Sequence, residues 1–133
     1  MDKRLTSIWW ALRIGFGAVP FLAGLDKFFN LLTNWTDYLN PLVLHAVPVE
    51  PATFMRGVGV VEMAVGLAIL TRWTRPGAYV AGAWLAGIAL SLLAKGAFLD
   101  VAVRDLLLAL AAIALARLTE VRESQTASPV ASV

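Results

Sequence analysis

Apolar runs broken by short polar intervals dominate the chain. Four of them, at about 8–29, 53–70, 77–94 and 101–118, are long and predominantly apolar. Each is close to the ~20 residues that a helix rising 1.5 Å per residue needs to cross hydrocarbon. Backbone groups in lipid must be satisfied within the segment, so the pattern predicts helices. The expected fold is all-α: an integral membrane four-helix bundle formed by residues 1–119. The first run is too long for a signal peptide and lacks a small-residue cleavage site followed by a polar chain, so it is expected to stay in place.

Composition strengthens this reading. Hydrophobic residues make up 59% and charged residues 15% of 133, against about 45–50% and about 25% in soluble domains. Mean hydropathy is +0.75. The absence of cysteine excludes disulfides, thiol relays, iron–sulfur clusters and cysteine-ligated zinc within this chain. A lone histidine, His45, speaks against a multi-histidine metal site, and no metal site is predicted.

Charge supplies an orientation. Lys3, Arg4, Arg72, Arg75, Arg117 and Arg122 flank one set of predicted helix ends, and Lys27, Arg56, Lys95 and Arg104 the other. The positive-inside rule then places both termini and the 71–76 turn in the cytoplasm, in a multi-pass protein of the bacterial inner membrane. Trp9, Trp10 and Trp73 are expected in an inner aromatic belt, and Trp35 with Tyr38 in an outer one. The pI of 9.4 follows from these flanking charges and predicts no nucleic-acid partner. The long 30–51 connection is broken by Pro41, Pro48 and Pro51. It is too apolar for disorder and is expected to cap the outer face. Residues 120–133 have the composition of a disordered cytoplasmic tail.

Ionisable residues inside the spans are costly without a partner or water, which makes them the candidate sites. Arg13, Gly17, Pro20, Gly24 and Lys27 recur every three or four residues and share one helix stripe. Gly59, Glu62 and Gly66 form a similar stripe on the second span, and small residues on such faces let helices approach closely. Arg13 is expected to reach Glu62, fixing helix register or taking part in ligand or proton handling; alternatively, Glu62 stays protonated. Asp26, Lys27, Arg56, Arg104 and Asp105 are expected near one level beneath the outer loop. They are read either as snorkelling charges and interface ion pairs or as a pocket for an anionic or quinone-like headgroup. His45 is read as a surface residue or a proton donor.

Arg13, Gly15, Phe16 and Gly17, then Phe21, Gly24, Asp26, Lys27 and Phe28, followed by Gly59, Glu62, Gly66 and Leu67, give a pattern that resembles the DoxX-like family of small four-helix bacterial membrane proteins. The resemblance spans roughly residues 8–118. It implies Arg13, Lys27 and Glu62 as a shared polar core. It also implies a membrane subunit or anchor of a redox or quinone-linked system, with a quinone as ligand and a redox protein or a second copy as partner. It supplies no catalytic motif, so any enzyme activity would belong to a partner. Two other readings stay open: a small oligomeric transporter or channel, and a purely structural membrane scaffold.

Overall fold

A computed structural model describes residues 2–46 and 48–127. Four long helices are present, α1 (Lys3–Asp26), α3 (Pro51–Leu70), α4 (Thr74–Lys95) and α5 (Leu99–Ala127), with a short α2 (Pro41–Ala46) and a 3-10 turn (Trp35–Tyr38) between the first two. Their ends follow local chemistry. The Asp2 side chain accepts from the Arg4 backbone N–H at 2.7 Å and caps α1, satisfying one of the donors a helix start leaves open. Pro51 opens α3, where its fixed φ suits the first helical position. Gly96 ends α4 at φ 74°, a left-handed conformation that costs a glycine little.

Helices α1, α3 and α4 are long and apolar enough to cross a membrane. Their outward faces carry large apolar side chains in the open, among them Val19, Leu22, Leu67 and Leu90. Such a surface suits lipid and not water. Helix α5 differs from the predicted fourth span, because Arg104, Asp105 and Arg117 fall inside 101–118. It also runs on to Ala127, where composition suggested a disordered tail from residue 120. Contacts to α4 account for the extension: the Tyr79 hydroxyl donates to Glu120, and Arg75 pairs with Glu123 at 3.4 Å. Residues 128–133 lie outside the described part.

Packing divides the bundle into two hairpins, since α1 contacts α3, and α4 contacts α5, far more extensively than any other pair. Within the first hairpin the helices are antiparallel. Gly24 lies against Gly59, and Gly17 against Gly66; a methyl group added at Gly24 would overlap the Gly59 carbonyl, and one at Gly66 the Gly17 carbonyl. The second hairpin is built on small residues, with Ala78, Ala81, Ala112 and Ala116 buried beside Ile69 and Leu115. Trp9 is 5% exposed and donates from Nε1 to the Thr119 hydroxyl at 2.9 Å. It therefore ties α1 to α5 inside the bundle, where the sequence suggested an aromatic belt.

The 30–50 connection closes the other end. Asn40 is buried and donates from Nδ2 to the Ser91 carbonyl at 3.1 Å. Lys95 donates to the Asp37 carbonyl, and the Tyr38 ring lies 4.2 Å from that of Phe98. Phe98 has φ 55°, an uncommon conformation for a bulky residue; stacking on Tyr38 holds it there.

The Gly contacts generate a stability test. Gly24→Ala and Gly59→Ala should each destabilise the protein by about 1–3 kcal/mol, the range for overpacking a tight interface. Gly57→Ala, with open space at the added methyl, should be neutral or stabilise by up to about 1 kcal/mol. Helix loss on denaturation in detergent micelles, followed by circular dichroism, checks all three.

Candidate functional site

The antiparallel register sets which polar groups meet. Lys27, directly after α1, faces Glu62 in the body of α3, and Lys27 Nζ donates to Glu62 Oε2 at 2.7 Å. Their side chains are only 4% and 13% exposed. Charges taken out of water are tolerated only when paired this closely. Lys27 Nζ also sits 3.8 Å from the centre of the Trp35 ring, a cation–π contact strengthened by desolvation.

Asp26 positions that ring. Its carboxylate accepts from the backbone N–H groups of Leu31 and Leu32 at 3.0 and 2.9 Å, and from Trp35 Nε1 at 2.9 Å. Asn30, at φ 54°, makes the intervening turn, a conformation asparagine tolerates better than most residues. Asp26 thus orders the chain after α1 and lays Trp35 over Lys27.

Arg13 does not meet Glu62, contrary to the sequence expectation. Leu70 packs against Gly17, one turn from Arg13, so Arg13 lies at the far end of α3. Nε donates to the Ile69 carbonyl at 2.9 Å, and Nη2 to those of Leu70 and Thr71 at 2.9 and 2.8 Å. The guanidinium therefore satisfies acceptors that the helix end leaves without intrahelical donors. Its carbon lies 5.0 Å from the ring centres of both Trp9 and Trp10.

The expected outer cluster of Asp26, Lys27, Arg56, Arg104 and Asp105 is not joined by hydrogen bonds into one network, although Asp105 interacts electrostatically with Arg104 as well as with Glu62. Arg104 is exposed and pairs along its own helix with Asp100 at 3.0 Å. Arg56 is exposed and makes no ion pair among the described residues. Asp105 is partly buried and close enough to Glu62 to interact with it electrostatically. His45 is exposed on α2, apart from the Lys27–Glu62 pair.

Beside Glu62 the four long helices line a partly open cavity of about 290 Å³. Phe16 and Pro20 of α1, Val65 of α3, Leu85 and Ile88 of α4 and Leu108 of α5 contribute apolar walls. Glu62 and Trp84 are the polar-bearing side chains on its surface. Trp84 Nε1 is buried and has no hydrogen-bond partner among the described residues. An indole N–H can only donate, so this one is an unfilled donor beside an apolar space.

Comparison with known families matches a model of the DoxX family over residues 8–94. The chain belongs to the DoxX family. The match takes in most of α1, the capping segment, α3 and nearly all of α4. Helix α5 lies beyond it, so this DoxX protein adds its α4 partner outside the matched region. No curated protein matches the chain, and no solved structure does.

Two structural features of this candidate site escape sequence reading. Trp84 looks like an isolated bulky residue on a helix of small ones, and only the assembled walls show its N–H unpaired. Trp35 looks like an interfacial anchor, although it covers Lys27. Setting the Gly stripes of the first two spans tail to head would have brought Lys27 to Glu62.

A double-mutant cycle checks this geometry. Lys27→Met should destabilise by about 3–5 kcal/mol by stranding a buried carboxylate, with Lys27→Met plus Glu62→Leu recovering most of it. Arg13→Leu and Glu62→Leu should add within about 0.5 kcal/mol, since the two sites share no partner. Unfolding free energies in mixed micelles give both couplings.

Proposed function

We propose that this DoxX protein binds a lipophilic ring carrying a hydrogen-bond acceptor in the cavity beside Glu62. It does so as a membrane subunit or anchor of a quinone-linked redox system. The observation that carries the reading is the apolar cavity with Glu62 and Trp84 on its walls, together with a buried Trp84 indole donor that has no acceptor among the described residues. Such an unmet donor costs about 1–3 kcal/mol, which a ligand carbonyl oxygen placed against Nε1 offsets. The volume of about 290 Å³ suits a substituted ring, given that an apolar cavity of about 150 Å³ accepts benzene. Electron transfer itself falls to the ligand and a partner, because this chain carries neither cysteine nor a catalytic motif.

The same reading sets the protein in the bacterial inner membrane with both termini cytoplasmic and α5 as a fourth span. Charge distribution supports it. Arg72, Arg75, Arg117 and Arg122 gather at the end where Trp9 meets Thr119. With Lys3 and Arg4, six basic residues flank this end, against Lys27, Arg56, Lys95 and Arg104 at the other. The end richer in Lys and Arg belongs on the cytoplasmic side.

Titrating a short-chain ubiquinone or menaquinone analogue into protein in nanodiscs tests the function. Tryptophan fluorescence should quench saturably and the melting temperature should rise. Trp84→Phe, which keeps the ring and removes the donor, should weaken binding roughly 5–10-fold, the worth of about one hydrogen bond. Wild-type protein with neither quenching nor a melting shift would instead favour the scaffold reading.

A further inference from the structure

Glu62 has one oxygen committed and one to spare. Lys27 Nζ engages Oε2 at 2.7 Å, while Oε1 makes no hydrogen bond among the described residues. Trp84 Nε1 is the one fully buried side-chain polar atom without a partner among those residues, so the unbonded Oε1 is not sealed inside the protein. Glu62 is also the one ionisable side chain on the cavity wall among the described residues. Nearby Asp105 acts on Glu62 electrostatically and is itself offset by Arg104, which leaves Lys27 as the cation that pairs with Glu62.

The two polar groups on the cavity therefore ask for opposite things. A carboxylate in an ion pair accepts hydrogen bonds and cannot donate them, whereas an indole N–H donates and cannot accept. A ligand that meets both carries an acceptor for Trp84 and a donor for Glu62. The rim narrows the choice of donor. Ala11, Gly15 and Val19 of α1 and Leu108 of α5 line the cavity and are at the same time exposed, so they stand at its mouth. A methyl group added at Gly15 would meet nothing, which marks open space there. These α1 positions fall in the middle of a helix spanning Lys3–Asp26, at the level of the hydrocarbon if the helix crosses the membrane. An occupant arriving at this depth comes through lipid, where a charged donor such as an ammonium is costly. The donor that fits is a neutral hydroxyl on an apolar ring.

We propose, on the footing that the cavity takes a ring ligand, that it selects the hydroquinone over the quinone. One ring hydroxyl donates to Glu62 Oε1, and the oxygen of a ring hydroxyl accepts from Trp84 Nε1. A quinone has two acceptors and no donor. It satisfies Trp84 and leaves Oε1 unmatched. Glu62 is thus the residue that reads the redox form of the ring, and Lys27 is a positioning residue that holds the carboxylate through Oε2. Tighter binding of the reduced form raises the potential of the bound couple above that of the free couple. For two electrons the rise is about 30 mV for each factor of ten in affinity.

Anaerobic equilibrium dialysis of the protein in nanodiscs tests the proposal, with protein-free discs as the partition control. The probes are tetramethylbenzoquinone, its hydroquinone, and the dimethyl ether of that hydroquinone. Wild-type protein should bind the hydroquinone roughly tenfold or more tightly than the quinone, the advantage of one hydrogen bond to a charged acceptor. The dimethyl ether, which keeps both oxygens and loses both donors, should bind no better than the quinone. Lys27→Met combined with Glu62→Leu, expected to keep most of the stability, should bind quinone and hydroquinone alike. Trp84→Phe should weaken both forms by a similar factor and leave their ratio unchanged. Should the double variant fail to fold, the three probes on wild-type protein still decide. Equal or reversed affinities on wild-type protein, or a preference that persists in the double variant, overturn the selection and leave ring binding standing. Wild-type protein that binds neither form overturns the ring ligand and the selection together.

Discussion

The close approach of α1 and α3 is the constraint from which the other contacts follow. Where Gly24 meets Gly59 and Gly17 meets Gly66, each backbone occupies the space a neighbouring side chain would need. In lipid, helices gain nothing by hiding apolar surface from one another, so association rests on such tight packing and on polar contacts between helices. Two glycine contacts on each helix also fix an axial register. Sliding α3 by one turn would bring side chains onto those backbones.

That register distributes the charges. It delivers Lys27 to Glu62 at one end and Arg13 to the exposed carbonyls of α3 at the other. Each cation on the α1 stripe thereby meets a different acceptor: one a carboxylate, the other a helix terminus with its partial negative charge. The two roles are not interchangeable. A lysine at position 13 would offer a point charge where a planar fork now bonds three carbonyls. Asp26, read from sequence either as an interface ion-pair partner or as part of a headgroup site, orders its own loop and lays Trp35 against the buried pair.

Much of the architecture was legible in the chain. Hydropathy located the long helices to within a few residues at most ends, and the glycine stripes marked the faces that pack. What stayed hidden depends on relations between segments that periodicity does not encode. Depth alone suggested Arg13 for Glu62, whereas the outcome rests on which glycine opposes which. The polar stretch after residue 119 looked like solvent-exposed tail because its partners, Tyr79 and Arg75, sit on another helix. Trp84 carries no signal in one dimension, since an unmet donor is a property of the walls around it. The DoxX match over residues 8–94 leaves α5 to be understood from its packing alone.

The division into two hairpins bears on how the protein enters the bilayer. Residues 3–71 contain both members of the Lys27–Glu62 pair and all three carbonyls that Arg13 bonds. Chains emerge from the ribosome N-terminus first, so these groups can meet before α4 and α5 have been made. The first hairpin can therefore leave the translocon with its deepest charges already compensated. The second, whose interface is mostly alanine, joins it afterwards and brings Arg104, Asp105 and Arg117 on α5. Order of synthesis and order of neutralisation coincide, and biogenesis need not shelter a lone buried ion while the rest of the bundle is translated.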